Sequence, residues 1–205
     1  MKFVRSGACL LVTSFLLLAG CSLSPKAPPS TTAEPPPTEI EHWSLRGRIN
    51  VTHGEESWSG GLRWQHLAGG DELTIRDPIG RTRLKASCQV NGNEEQRAQL
   101  QIAGQPLITG KDLESLLHSA TRLYLPIQQL PSWITGRSHS GTSSQITTDP
   151  KTDRTTQITQ AGWTISYPEY QIQDSIELPR KILLHDNSTK IRLVITRWQL
   201  LTLND

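Results

Sequence analysis

The run Trp43-Ser-Leu-Arg-Gly-Arg-Ile-Asn-Val51 decides the fold class together with Ser57-Trp-Ser-Gly-Gly-Leu-Arg-Trp64, which follows it after a short polar break. In the first half Trp43, Leu45, Gly47, Ile49 and Val51 alternate with Arg46, Arg48 and Asn50. A period of two puts the first set on one face of a strand and the polar set on the other. Trp58, Gly60, Leu62 and Trp64 repeat the alternation in the second half. His53-Gly54-Glu55-Glu56 lies between the halves and reads as the turn. Two alternating strands around a short turn form an antiparallel hairpin, apolar on one side and polar on the other.

Further along the chain the same texture continues. Leu67 to Asp71, with two glycines, makes the next turn, after which Leu73 and Ile75 resume the alternation. Arg81–Val90 and Gln96–Ala103 read as strands around Asn91-Gly92-Asn93. The pattern changes at Thr109-Gly-Lys-Asp112, a capping-box-like start for a helix that carries Leu113, Leu116, Leu117 and Ala120. A second short helix is expected from Ile127 to Thr135, ending at Gly136, with Pro131 awkwardly inside it. Arg137–Arg154 is polar and reads as a surface loop. Two more hairpins follow: Thr155–Thr159 with Trp163–Tyr167, then Lys181–His185 with Lys190–Trp198. The expected fold is mainly β, a meandering antiparallel sheet interrupted by one helical insertion.

Toward the N-terminus the chain has a different character. Lys2 and Arg5 precede the apolar run Ala8–Leu18, and Leu18-Ala-Gly-Cys21 closes it with small residues, as in a cleaved secretory signal. The run is shorter than the roughly 20 residues a membrane-crossing helix needs. Leu-Ala-Gly-Cys resembles the bacterial lipobox, which implies that residues 1–20 are removed and that Cys21 is acylated. Ser22, standing where an aspartate would imply inner-membrane retention, implies the outer membrane of a Gram-negative cell, on its periplasmic face. Residues 21–38 then form a tether rich in proline, with a reach of about 50 Å, and residues 39–205 form one domain. Loss of Lys2 and Arg5 from the 21 basic residues leaves 19 against 19 acidic ones. That balance offers no electrostatic case for a nucleic-acid partner. With Cys9 discarded and Cys21 acylated, Cys88 stands alone, so no internal disulfide is expected. It reads as a small core residue.

The chemistry-bearing residues form no catalytic pattern. The six histidines, at 42, 53, 66, 118, 139 and 185, are not spaced as metal pairs. No nucleophile elbow or cysteine–histidine pairing is present, so neither enzymatic activity nor a metal or cofactor is expected. An extensive apolar sheet face with only two short helices has two outcomes. Either the sheet's own side chains fill the interior, or a loose helical lid encloses an apolar cavity fit for an apolar ligand. The turn Asp77-Pro78-Ile79-Gly80 places an aliphatic side chain at its tip, with Arg76, Arg81 and Arg83 around it. Ile79 either folds back onto the core or stands ready to enter an anionic membrane, where its burial would contribute roughly 1.5–3 kcal/mol.

Across the domain the sequence resembles the LolB family of outer-membrane lipoproteins. The resemblance rests on Leu45-Arg-Gly-Arg48, Leu62-Arg-Trp64, Asp77-Pro-Ile-Gly80, Leu130-Pro-Ser-Trp-Ile-Thr-Gly136 and Trp163-Thr-Ile-Ser-Tyr167. It implies a single curved antiparallel sheet rolled into an unclosed barrel, with a short-helix lid over an apolar cavity. It implies a monomeric receptor that takes lipoproteins from the periplasmic carrier LolA, holds their acyl chains and inserts them into the outer membrane, with Pro78, Ile79 and Gly80 as the membrane-insertion loop. Here isoleucine replaces the family's usual leucine and aspartate its asparagine. Expected cavity-facing residues are Leu62, Trp64, Leu73, Ile75, Leu113, Leu116 and Leu117. An envelope scaffold lipoprotein without cargo transfer would share the anchor, tether and sheet.

Overall fold

The computed structural model describes residues 40–90 and 96–201; the expected signal 1–20, Cys21, the expected tether over 21–38 and the expected turn at Asn91-Gly92-Asn93 lie outside the described residues. Within them the order is β1 (Trp43–His53), β2 (Glu56–Leu67), β3 (Gly70–Arg76), β4 (Thr82–Val90), β5 (Gln96–Ile102), β6 (Ile108–Gly110), α1 (Leu113–Thr121), α2 (Leu130–Ile134), β7 (Ser144–Thr148), β8 (Thr155–Gln160), β9 (Trp163–Gln173), β10 (Ile176–His185) and β11 (Thr189–Leu200). All the strands join one antiparallel sheet in the order β6-β5-β4-β3-β2-β1-β11-β10-β9-β8-β7. Two meanders are thus welded where the first strand pairs with the last. β6 and β7 remain as the edges of an unclosed barrel, and the helical segment runs from one edge to the other.

The weld is anchored by Trp43. It is fully buried in β1 and meets Trp64 of β2 edge-on at 5.1 Å and Trp198 of β11 at 5.3 Å. Each partner ring has its N–H satisfied. Trp64 Nε1 donates to Asp71 Oδ1 at 2.7 Å, and Trp198 Nε1 donates to the Pro179 carbonyl at 2.9 Å. Such aromatic pairs contribute about 0.5–1.5 kcal/mol beyond the area they bury. A register shift between Arg46 and Gly47 brings β11 so close that a Cβ at position 47 would lie 2.4 Å from the Val194 carbonyl oxygen, which accounts for that glycine.

Packing separates into two apolar clusters. The larger joins β1, β2 and β8–β11 to α2 through Trp43, Trp133, Ile158, Ile165, Ile182 and Ile195. The smaller joins α1 to β4 and β5 through Ala86, Ala98, Leu100, Leu113, Leu117 and Leu123. α2 is fastened by polar bonds as well. Buried Gln160 accepts from Trp133 Nε1 at 2.7 Å and from the His139 amide at 2.9 Å, and donates to the carbonyls of His139 and Thr142. Tyr167 donates its hydroxyl to the Trp133 carbonyl at 2.8 Å. Among the described residues no side-chain hydrogen bond ties α1 to the sheet; it rests on leucines.

Several expected boundaries are corrected. Thr109 does not cap α1: it is in β6, opposite Gln99, and the N-cap is Asp112, whose carboxylate accepts from the Ser115 amide at 2.7 Å. Pairing along the sheet edge claims Thr109 and moves the helix start three residues on. α2 is confined to Leu130–Ile134, with Pro131 in its first turn, where the missing N–H costs nothing. The expected loop 137–154 contains β7, exposed along its length and therefore without alternating burial. β9 and β10 run well past their expected ends and meet at Asp174-Ser175, both with positive φ. The prolines that mask this extension are tolerated: Pro168 is exposed, and Pro179 sits at a register shift.

Replacing Gln160 with alanine orphans several buried groups at once and should cost about 2–4 kcal/mol. Chemical denaturation of Gln160→Ala checks this; a loss under half a kcal/mol would show that the amide fastens little.

Candidate functional site

The two clusters do not meet completely, and the seam between them is a cavity of about 110 Å³ lined wholly by apolar side chains. Its floor comes from the sheet: Ile49 and Val51 of β1, Leu62 and Trp64 of β2, Leu73 and Ile75 of β3, Leu84 and Ala86 of β4, with Leu184, Ile191 and Leu193 from β10 and β11. Its roof is Leu113 and Leu117 of α1, the linker residues Leu123, Leu125 and Ile127, and Leu130 and Ile134 of α2. Trp58, 42% exposed, stands at the rim. No polar group reaches the interior, so any occupant is held by area and shape alone.

Six of the seven residues expected at this site are on its wall: Leu62, Trp64, Leu73, Ile75, Leu113 and Leu117. Leu116 is not. Leu113 and Leu117 are four apart and share the inward stripe of α1, whereas Leu116 turns toward the sheet edge over Gly110, where an added Cβ would come within 3.0 Å of its Cδ2. Leu184, Ile191 and Leu193 are not legible locally: the β1–β11 pairing sets Ile191 and Leu193 beside Val51 and Ile49, and β10 then places Leu184 next to Ile191. Ile49 and Val51 shared the legible face of β1 and could have been named. Cys88 packs partly buried against the smaller cluster; burial above all, then Asp71 and Asp112, pushes its thiol up, away from reactivity. Among the described residues no three His, Cys, Asp or Glu side chains gather as a metal site, and no helix is long and apolar enough to cross a membrane.

Beyond the rim lies the β3–β4 turn. Asp77 organises it: its Oδ1 accepts from the amides of Ile79 at 3.1 Å and Arg81 at 2.9 Å, and its Oδ2 accepts from Arg81 Nε at 2.8 Å. Two backbone bonds, Asp77 N to the Arg81 carbonyl and Gly80 N to the Asp77 carbonyl, close the turn, and Gly80 takes a φ of 89° that few other residues tolerate. Ile79 is lifted clear and is 75% exposed. A surface groove of about 580 Å³ runs from this tip past Arg81, Arg83 and Ile102. It shares Trp58, Ile75 and Leu84 with the cavity. Tip and cavity are therefore adjoining sites.

The profile of the outer membrane lipoprotein LolB family matches residues 41–198, which takes in the helical insertion and every strand but for the last two residues of β11. The chain belongs to the LolB family. The outer-membrane lipoprotein LolB of Nitrosococcus oceani is 32% identical over 98% of this chain and 100% of its own length. That of Thiobacillus denitrificans is 32% identical over 89% and 91%. A solved DUF1329 family protein from Desulfovibrio piger aligns over 78% of this chain and 85% of its own, with a TM-score of 0.53 at 6% identity, a likeness of fold alone. Membership of the LolB family makes this an outer-membrane lipoprotein concerned with lipoprotein trafficking.

Within this LolB-family domain the loop is testable by pH. The Arg81 guanidinium foremost, aided by the Arg81 and Ile79 amides and opposed by burial, holds the Asp77 carboxyl below its ordinary range. A depressed carboxylate contributes stability in full above its unfolded value and loses it as pH falls through the folded one. The Ile79 amide should keep its bonded chemical shift below the ordinary carboxylate range and lose it only at the depressed value. Asp77→Asn, which keeps the Oδ1 acceptor, should flatten that titration. A midpoint at the ordinary carboxylate value would contradict the role given to Arg81.

Proposed function

We propose that this chain receives lipoproteins from the periplasmic carrier LolA, holds their acyl chains in the apolar cavity and releases them to the outer membrane at the Ile79 loop. The observation that carries the reading is the continuity of a wholly apolar cavity with an exposed aliphatic tip through a groove built on Trp58, Ile75 and Leu84. Cleavage after residue 20, acylation of Cys21 and a tether over residues 21–38 would hold the domain of residues 39–205 near the bilayer it serves. A single copy suffices, because one chain supplies floor, roof and tip.

The cavity's size defines how the lid must work. At about 110 Å³ it is smaller than the ~150 Å³ apolar void that just accepts a benzene ring, so acyl chains enter only as α1 lifts. Exposing Leu113 and Leu117 costs roughly 3–6 kcal/mol, and burying about four to eight methylenes at ~0.8 kcal/mol each offsets that. Cargo itself then stabilises the open form, and an empty receptor recloses. No nucleotide is required, since each transfer needs only a modest gain: ~1.4 kcal/mol gives a tenfold preference. Pro78, Ile79 and Gly80 work at the far end by presenting the tip to lipid.

The deciding experiment mixes the mature chain, made without acylation, with purified LolA carrying a radiolabelled lipoprotein, and follows the label. Transfer without nucleotide is expected. Label that stays on LolA would overturn the receptor reading and favour a scaffold. Two variants separate the steps. Ala86→Phe, which fills the cavity floor, should reduce acceptance at least tenfold while the fold persists. Ile79→Ala should accept cargo normally yet fail to deliver it to liposomes; normal delivery by that variant would sink the role of the loop.

A further inference from the structure

The outward face of the sheet, opposite the cavity, has an arrangement that folding does not explain. In the register of β11, β1 and β2, Arg46 stands directly across from Arg197 on one side and Arg63 on the other. Like charges set opposite one another on a sheet destabilise it. One row nearer the Ile79 loop, Gly61 of β2 lies between Arg48 of β1 and Arg76 of β3. All these arginines are exposed, and among the described residues none of them forms an ion pair. The two acids that border the face are already engaged, Glu72 with Lys85 at 2.9 Å and Asp77 with Arg81 at 2.8 Å.

Gly61 makes the face a site instead of a solvated charge run. Its backbone does not adopt a conformation reserved for glycine, and a Cβ there would meet nothing within 4 Å. Neighbouring Gly60 is different: a Cβ would lie 2.5 Å from the Arg76 carbonyl oxygen, so packing demands it. A mid-strand glycine weakens a sheet and is required neither by space nor by φ at position 61; such a residue marks close approach by something else. Bare backbone flanked by two guanidinium groups leaves room for a compact anion, and guanidinium is matched to phosphate oxygens. The depression over Gly61 continues through Arg48 and Arg192 to Asp77 and Pro78, at the root of the exposed Ile79 tip.

We propose that this outward face seats the phosphate groups of anionic lipids over Gly61, between Arg48 and Arg76, so that the domain lies along the membrane surface instead of touching it at the tip alone. The choice of lipid over an acidic protein rests on the reading of Ile79 as a membrane contact, because the two features are continuous. Adjacent phosphates would relieve the repulsion along Arg197, Arg46 and Arg63. The bound orientation would turn the opposite face, with the cavity, away from the headgroups.

The test uses the mature chain from position 21 with Cys21→Ser, so that no anchor contributes, sedimented with phosphatidylcholine vesicles with and without phosphatidylglycerol. The parent should partition more strongly onto the anionic vesicles. Arg48→Gln with Arg76→Gln should lower that partition about 25-fold, roughly fivefold for each arginine, and leave binding to neutral vesicles unchanged. Gly61→Glu should lose anionic binding similarly while its denaturation midpoint stays or rises, since its carboxylate pairs with the flanking arginines. Unchanged partition by these variants overturns the proposal, as does intact vesicle binding with loss of binding to LolA, which would make the face a carrier-docking surface. Ile79→Ala read in parallel separates the two claims: it should weaken binding to both vesicle types. If it binds as the parent while the arginine variants fail, the loop reading falls and the phosphate face stands.

Discussion

Pairing between β1 and β11 is the contact on which the rest of the molecule depends. It spans nearly the whole domain in sequence, runs from Trp43–Leu200 to His53–Thr189, and turns two separate meanders into one sheet wide enough to curl. Closing it joins segments from opposite ends of the domain, and that loop-closure entropy is lost before the contacts repay it. The buried tryptophans at one end of the seam, Trp43 with Trp64 and Trp198, are the compensation. The same seam sets the cavity floor, since Ile49 and Val51 come to lie beside Ile191 and Leu193 only through it.

The curl leaves an interior that two short helices cover unequally. α2 is fixed by Gln160 and Tyr167, whereas α1 is held by leucines on β4 and β5 and by its Asp112 cap. Rigid cover on one side and apolar contact on the other is an arrangement with a preferred place to yield. Stability in such a domain is uneven by construction: the tryptophan-rich cluster is the larger and carries polar fastenings, and the smaller cluster is where the proposed opening would cost least. A well-filled interior would have been more stable and would have had no place for a ligand.

Local periodicity carried much of this. The β1–β2 hairpin, the Asp77–Gly80 turn and the leucines of α1 were legible because their signals are confined to a few neighbouring residues. What local pattern lacks is the partner. Nothing near Leu184 or Leu193 points to β1, and nothing in Ser144–Thr148 shows a strand, because an edge exposed on both faces has no alternation to display. Thr109 misled for a related reason: its local capping signal competes with pairing to Gln99, and the pairing prevails. Leu116 shows the limit of helical spacing, which separates inward from outward but does not resolve a stripe from its flank. The exposure of Ile79 is a different case, for the sequence left it balanced and the Asp77 hydrogen bonds decide it.

An unclosed barrel keeps two rows of unpaired backbone groups, and these are templates for strand addition and aggregation. Here each edge is nearly blunt. β6 has three residues, and β7 is Ser-Gln-Ile-Thr-Thr, with one apolar side chain in five. A second copy or an extended polypeptide would gain few ladder bonds from either. Domains crowded side by side on one leaflet therefore have little edge along which to polymerise, and an extended polypeptide passing nearby finds only a short ladder to join.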